Sequence, residues 1–493
     1  MTSASIIATD AEQSAQPRPL GFINIAVIVI FLVLTVMLLF AAPSVLRNIF
    51  PVLAFAAAAV LYARSKPAYV SFVMWLWFLS PFLRRLVDYR TEFVATSPLL
   101  IAPVLATSIA GWALVTRTRS LARPGAIPFL GALAGVAYGT FIGLLNFPLI
   151  NVAQSLANWL APILFAFFLY EECELYTEFR RVIEKTFLYG VLVMGLYGVF
   201  QFFMLPEWDR VWIVAMKTGA FGYPLPMMVR VFSTMNATPA FSMYLMAGLL
   251  MLFSMQHSRL RIPVALLGFF NFLLTTDRAS WIGFLVGLIF LAMHMGMRQR
   301  VKIFTMMIGC ALLLGGISLL PPVNEILTSR FQSVTDPKHD ESYNTRILGH
   351  EMAFAQLAHE PVGEGMAAME MNHYNFGMDD KLGPHDSTIL EFLFSLGYVG
   401  TFVYFAGLAV AGYRLLTDKQ VRDPFTYTMM AVTLSFFAQA ILNSIMLGVL
   451  GFVVWLSIAM TLAAREHGVA VLSPRARPFW QRPHEERLRA AGA

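Results

Sequence analysis

An all-α polytopic membrane protein is predicted by three features of the 493-residue chain. Apolar residues make up 58% of it, charged residues only 13%, and long apolar runs recur between residues 22 and 464. A soluble chain carries roughly a quarter charged residues. Mean hydropathy is +0.66. A bilayer interior offers no water to backbone groups, so spans this apolar are expected to be helices that satisfy their own N–H and C=O groups. The net charge of +6 sits largely in short connections and in the tail, which points to membrane topology and away from nucleic acid. Cys173 and Cys310 fall in a connection and an apolar run, at different depths, so no disulfide framework is expected.

Taken in order, the apolar runs are 22–41, 49–63, 67–83, 97–115, 125–146, 148–170, 182–205, 238–255, 262–276, 280–297, 302–320, 388–413, 424–442 and 445–464. They predict about 14 transmembrane helices. The first is longer than a signal h-region of about 7–15 residues, and it reads as a retained span; only Arg18 precedes it as a basic residue. With the N-terminus inside, Arg64, Lys66, Arg117, Arg119, Arg123, Arg180, Arg181, Arg259, Arg261, Arg298, Arg300, Lys302, Arg414, Lys419, Arg422 and the chain from Arg465 fall inside, as the positive-inside rule requires. Arg84, Arg85 and Arg90 fall outside and break that pattern. The fifth run places Gly131, Gly135, Gly139 and Gly143 four apart, on one helix face, which predicts close contact with a neighbouring helix.

Four segments are expected to project outward: 84–96, 206–237, 276–280 and 321–386. The last is far longer than a connector needs, and loops beyond about 12–15 residues are usually functional or disordered. Its aromatic residues, mixed charge and an apolar stripe along 344–354 favour a large ordered extracytoplasmic loop. The chain divides accordingly into N-terminal transmembrane helices (1–180), a second transmembrane region (181–464) and a basic cytoplasmic tail (465–493).

The outward segments carry the candidate chemistry. The run before Thr275-Thr276-Asp277-Arg278-Ala279-Ser280-Trp281 has about 15 residues, or roughly 22 Å of helix, against a hydrocarbon core near 30 Å. Arg278 is therefore expected to be recessed, where an ionisable group is a functional hypothesis by default; snorkelling or pairing with Asp277 is the structural alternative. Arg230 precedes small polar residues and a proline-bearing helix start. Its plainer reading is a solvated loop charge. The triplet Asn236-Ala237-Thr238 has the form of a glycosylation sequon, a pattern common by chance. Arg346 lies upstream of PVGEG (361–365), whose glycines permit a tight turn with N–H groups pointing together. Trp208, Trp212, Tyr223, Tyr343 and Tyr374 could stack on sugars, or anchor the chain at the interface, which is the commoner role.

In Gly383-Pro384-His385-Asp386-Ser387-Thr388-Ile389-Leu390-Glu391, the glycine and proline end the long loop, and Thr388 to Glu391 has capping-box spacing. His385 is thereby placed just before the first helical turn, where the helix dipole disfavours imidazolium. The same N-terminus attracts phosphate. Read from residues alone, His385 stays open between a hydrogen-bonding spacer, a pH-responsive group, a metal ligand with His373, Asp379, Asp380 and Asp386, and a general base. The spacing matches no familiar metal pattern. Nor does the chain contain GxxxxGK[ST], HExxH or GxSxG, so ATP, zinc-protease and serine-hydrolase chemistry lack motif support.

In their order along residues 185–460, these segments resemble the O-antigen ligase and polysaccharide polymerase superfamily, membrane-embedded GT-C-type glycosyltransferases. The resemblance rests on RVFSTMNATP (230–239), TTDRASWIGFLVGL (275–288), YNTRILGHEMAF (343–354), PVGEG, and a histidine opening a helix that reaches Gly397-Tyr398-Val399-Gly400. It implies that 181–464 is the catalytic region. It also implies an enzyme that joins glycans outside the bacterial inner membrane, using oligosaccharides carried on undecaprenyl diphosphate. By this resemblance Arg278 and Arg346 bind the diphosphate, with Arg230 a further candidate. His385 activates the acceptor hydroxyl as general base, and Asp277, Asp386 and Glu391 are supporting residues. The implied reaction is inverting and single-displacement, with no metal and no cofactor. Guanidinium suits the dianion, being permanently charged and forked. A unit charge about 4 Å away contributes roughly 4 kcal/mol at an effective dielectric of 20.

Two positions depart from the family's usual residues: Asp277 stands for a serine, and Asp386 for an asparagine. The spacing from His385 to Gly397 is also one residue longer than the commonest pattern. The long chain, extra spans and arginines of 84–90 incline the reading toward an exopolysaccharide polymerase, with membrane lipid, a chain-length regulator and export proteins as further partners. The alternatives are an O-antigen ligase acting on lipid A core and, from another class, a flippase for lipid-linked oligosaccharides. A flippase would line a path through both leaflets with charge, whereas these candidates cluster on the outer side.

Overall fold

The computed structural model describes residues 21–217, 219–255, 258–317, 350–351, 354–355, 357–359, 361–375, 387–417 and 423–472. Among the described residues the chain is helical, with one isolated bridge between Gly222 and Val229 and no strand. The helices are α1 (Phe22–Ala41), α2 (Pro43–Arg64), α3 (Lys66–Arg90), α4 (Pro98–Thr116, part 3-10), α5 (Ile127–Asn146), α6 (Leu149–Glu171), α7 (Tyr176–Met204) and α8 (Glu207–Met216). They continue with α9 (Thr238–Ser254), α10 (Arg261–Leu274), α11 (Arg278–His294), α12 (Met297–Ile317), α13 (Ala368–Asn375), α14 (Thr388–Thr417), α15 (Pro424–Phe437) and α16 (Gly448–Leu472).

Nine helices among the described residues are long and apolar enough to cross a membrane, and α9, α10 and α11 are shorter apolar helices. The structure is thus an all-α polytopic membrane protein. Each of the 14 apolar runs carries a helix, and several of these helices are short or broken. The run 424–442 is helical only to Phe437, and the chain then turns through 438–447 before α16 begins. The 84–96 segment differs as well: α3 continues through Arg90, so Arg84 and Arg85 sit within its last turns.

Helix starts follow capping chemistry. Ser65 accepts the Ala68 N–H at the head of α3, with Pro67 in the first turn. Asp423 accepts the Thr426 N–H at 2.8 Å at the head of α15, with Pro424 in the first position.

Charges divide between the two ends of the bundle. At one end Lys66 meets Glu172 at 2.6 Å, Arg117 meets Glu172 at 3.1 Å and Arg180 meets Asp423 at 2.7 Å. Arg414 donates to the Pro124 carbonyl there. At the opposite end of α3, Arg47 and Arg84 meet Asp88 at 3.0 and 3.3 Å, and Arg85 meets Asp209 at 2.6 Å. The basic connections of Lys66, Arg117, Arg180 and Arg414 therefore gather at a single end.

The glycine face of α5 lies directly on α14. A Cβ at Gly131 would come within 2.9 Å of the Val403 carbonyl oxygen, one at Gly135 within 2.8 Å of Gly400's, and one at Gly139 within 2.5 Å of Ser395's. Close helix contact is what the four-residue spacing predicted. Beneath it Trp159, Phe129, Tyr404 and Trp455 are fully buried, and the Trp455 indole donates to the Tyr404 hydroxyl at 3.1 Å.

α14 breaks at Gly397, whose φ of +60° is non-helical. The PVGEG segment fills the break. Glu364 and Gly365 donate their N–H groups to Phe394 O at 2.8 and 3.2 Å, Tyr398 N–H reaches Pro361 O at 3.1 Å, and Met366 N–H reaches Gly139 O at 2.9 Å. The N–H groups expected to point together do so, but onto a carbonyl freed by the broken helix. Those two N–H groups serve packing.

Candidate functional site

The short helix α10 ends at Leu274, and the chain turns through Thr275, Thr276 and Asp277 before α11 starts at Arg278. Thr276 adopts φ +52°, a left-handed conformation that a β-branched residue holds only when its surroundings fix it. Thr275, Thr276, Asp277 and Ser280 are buried, and Arg278 is half-buried. Arg230 supplies the constraint. Its Nε donates to Thr276 Oγ1 at 2.9 Å and to Thr275 O at 3.2 Å, and one terminal nitrogen donates to Ala220 O at 3.0 Å. The structure thus brings Arg230 to the turn that carries Asp277 and Arg278.

Buried polar groups hold the Arg230 segment in place. Asp209, fully buried, pairs with Arg85 and accepts from Tyr197 Oη at 2.8 Å and Gln201 Nε2 at 2.6 Å. Gln201 Oε1 in turn accepts the N–H groups of Phe232 and Ser233 at 3.0 and 2.8 Å. Arg85 donates to the Ser233 carbonyl, and its guanidinium lies 4.7 Å from the centre of the Phe232 ring. Buried charges require such pairing. Arg84 and Arg85 are therefore structural, which explains why they defy the loop-charge pattern. Trp212 is buried under Arg84, 4.7 Å from its guanidinium carbon, and Trp208 donates to Tyr197 Oη at 2.7 Å. Trp208 is half-buried and Tyr223 is exposed.

On the other side of the turn, Ser280 Oγ donates to Asp277 Oδ2 at 2.6 Å and lies 3.4 Å from Gln439 Oε1. Asn443 Nδ2 donates to the same Gln439 oxygen at 3.3 Å. The backbone of this segment then covers the head of α14. Thr388 N–H donates to Ala440 O at 2.9 Å, Thr388 Oγ1 donates to Asn443 O at 2.7 Å, and Ile445 N–H donates to Thr388 Oγ1 at 2.9 Å. Ser444 Oγ donates to the buried Glu391 at 2.7 Å. The expected capping box is consequently replaced: Thr388 lies inside the helix, and both of its side-chain roles, with that of Glu391, go to 443–445. Ser387, immediately before it, is 3.2 Å from His350 Nε2.

Arg346, His385 and Asp386 lie outside the described residues, as do Tyr343, Asp379 and Asp380. Of the predicted site residues, Arg230, Asp277 and Arg278 come together, while Glu391 lies across the 438–447 segment from them. Among the described residues, no three His, Cys, Asp or Glu side chains are grouped as a metal site. Sequence reasoning missed Gln439, Asn443 and Ser444. Their signal was available: Gln439 and Asn443 are the two amide side chains in a stretch from 424 to 464 whose other polar side chains are hydroxyls, and buried amides are costly there.

A helical membrane bundle thus brings Arg230 to the buried turn that carries Asp277 and Arg278, at the end away from the basic connections of Lys66, Arg117 and Arg180. Residues 263–405, from α10 through the break in α14, match the family model for O-antigen ligase. This similarity, confined to residues 263–405, supports the O-antigen ligase and polymerase superfamily and indicates a function of that type. Such enzymes are glycosyltransferase-like and act on lipid-linked glycans. Nothing among curated proteins matches the chain.

Proposed function

We propose that the protein polymerises, or transfers en bloc, oligosaccharide repeat units carried on undecaprenyl diphosphate, at the extracytoplasmic face of the bacterial inner membrane, in exopolysaccharide synthesis. The observation that carries this reading is the meeting of Arg230 with the buried Asp277–Arg278 turn, at the end of the bundle opposite the basic connections. With that basic end inside, the turn faces outward. No nucleotide is needed there, because the donor's sugar–phosphate bond supplies the driving energy.

In the proposed step an acceptor hydroxyl oxygen bonds to the anomeric carbon of the donor sugar while the bond from that carbon to the phosphate oxygen breaks. The electron pair leaves with the lipid diphosphate, and the hydroxyl proton passes to His385. Displacement on one face inverts the anomeric centre. Arg278 and Arg346, with Arg230, hold the diphosphate as negative charge grows on the leaving oxygen. Asp277 supports the turn through Ser280, and Asp386 and Glu391 support the head of α14. Residues 181–464 form the catalytic region on this reading, and 465–493 a cytoplasmic basic tail. A chain-length regulator and export proteins are the proposed partners.

The test is to replace His385 and Arg278 by alanine, separately, in the native host. Both variants are expected to lose polymer while single repeat units collect on the outward-facing lipid carrier. Polymer of normal length and amount from both variants sinks the site assignment. Units collecting on the cytoplasmic side indicate a flippase, and glycan missing from lipid A core indicates a ligase.

A further inference from the structure

The non-helical segment 438–447 touches both halves of the proposed site. Gln439 is buried, with Oε1 facing Ser280 and Asn443 and Nε2 donating to Ser435 O at 3.1 Å. Ser280 in turn holds Asp277, beside Arg278. Four residues further on, the Asn443 carbonyl accepts from both donors of Thr388, three positions after His385 in the sequence. α11 makes room for this contact: a Cβ on Gly283 would lie 2.6 Å from Gln439 Nε2 and 2.6 Å from the Ser435 carbonyl oxygen.

We infer that segment 438–447 is a strut that fixes the head of α14 relative to the Asp277–Arg278 turn, with Gln439 as its positioning residue. The inference rests on the proposed function, because it gives the strut the task of setting the base against the diphosphate site. Gln439 itself touches no reacting atom. A reacting pair displaced by about 1 Å loses rate up to about a hundredfold, so a positioning residue shows itself in kcat.

The experiment uses the purified full-length chain in lipid nanodiscs. Its donor is undecaprenyl-diphosphate-linked repeat units extracted from a host strain lacking this protein. Gln439→Ala is expected to lower kcat by about 10–100-fold, with little change in donor KM or Tm. Gln439→Glu distinguishes positioning from mere stability. Protonated, it reproduces one donor toward Ser435 O and one acceptor toward Asn443. Ionised, it opposes the Ser435 carbonyl and lies near Asp277. Its activity relative to wild type should therefore rise as pH falls, whereas that of Gln439→Ala should stay flat.

Wild-type kcat in Gln439→Ala overturns the inference. So does a kcat loss matched by a fall in Tm, with no acid recovery in Gln439→Glu. A wild-type protein that transfers no glycan from this donor overturns the proposed function and the inference with it; an active wild type with an unaffected Gln439→Ala overturns the inference alone.

Discussion

At the scale of single residues, the site is built by arginines doing different work. Arg230 braces the Thr275–Thr276 turn, and Arg85 is wholly buried against Asp209. Replacing Arg278 by lysine keeps the charge but loses the fork. Donor turnover, read as kcat/KM, should fall by about tenfold for lysine and a further tenfold or more for alanine. Arg85→Ala strands Asp209 in the bundle and should cost about 3–5 kcal/mol of stability, read by thermal unfolding in detergent; Arg85→Met combined with Asp209→Leu should cost less than either single change. The sequence marked Arg84 and Arg85 as anomalous because they broke the charge pattern. It did not reveal Asp209 as the partner, since that pairing joins positions 124 residues apart. Arg278 and Arg230 were legible as candidates for the same reason that Gln439 was overlooked: charge in an apolar chain draws notice, and a neutral amide does not.

At the scale of elements, regular spacing was the most readable signal. Four glycines at intervals of four announced a close contact, and α14 lies on that face. Gly135→Leu should therefore separate α5 from α14 and abolish folded, membrane-inserted protein, measured as loss of the monodisperse peak in detergent. Gly365, at φ +95° and against the backbone of Gly143, tolerates no side chain; Gly365→Val should lower Tm more than Gly296→Val, since a Cβ at Gly296 meets nothing. The break after Phe437 was not readable, because apolar residues continue past it and periodicity alone does not distinguish a helix from a turn packed among helices. The misread capping box has a similar cause. Thr388 and Glu391 have the right local spacing, but residues 443–445, more than 50 positions away, compete for the same atoms and win.

At the scale of the whole molecule, composition and the placement of basic residues were enough to give an all-α membrane protein with its positive connections at one end. The lengths of the helices were not, because three apolar helices beside the candidate site are short. The topology can be checked with a membrane-impermeant maleimide. Cysteine placed at exposed Tyr223 should be labelled in intact spheroplasts, and cysteine at Arg119 only after lysis; the reverse pattern turns the molecule over. The break at Gly397 carries one more consequence. The piece of α14 that follows His385 ends at the break, and it is gripped at its head by 438–447 and at its foot by PVGEG. Protein holds it at both ends. When the bilayer thickens or thins, the membrane-crossing part of α14 can tilt to follow while the piece before the break stays registered with the Asp277–Arg278 turn. Turnover in nanodiscs should accordingly vary little with acyl-chain length, and a strong dependence would mean that the break bends with the membrane.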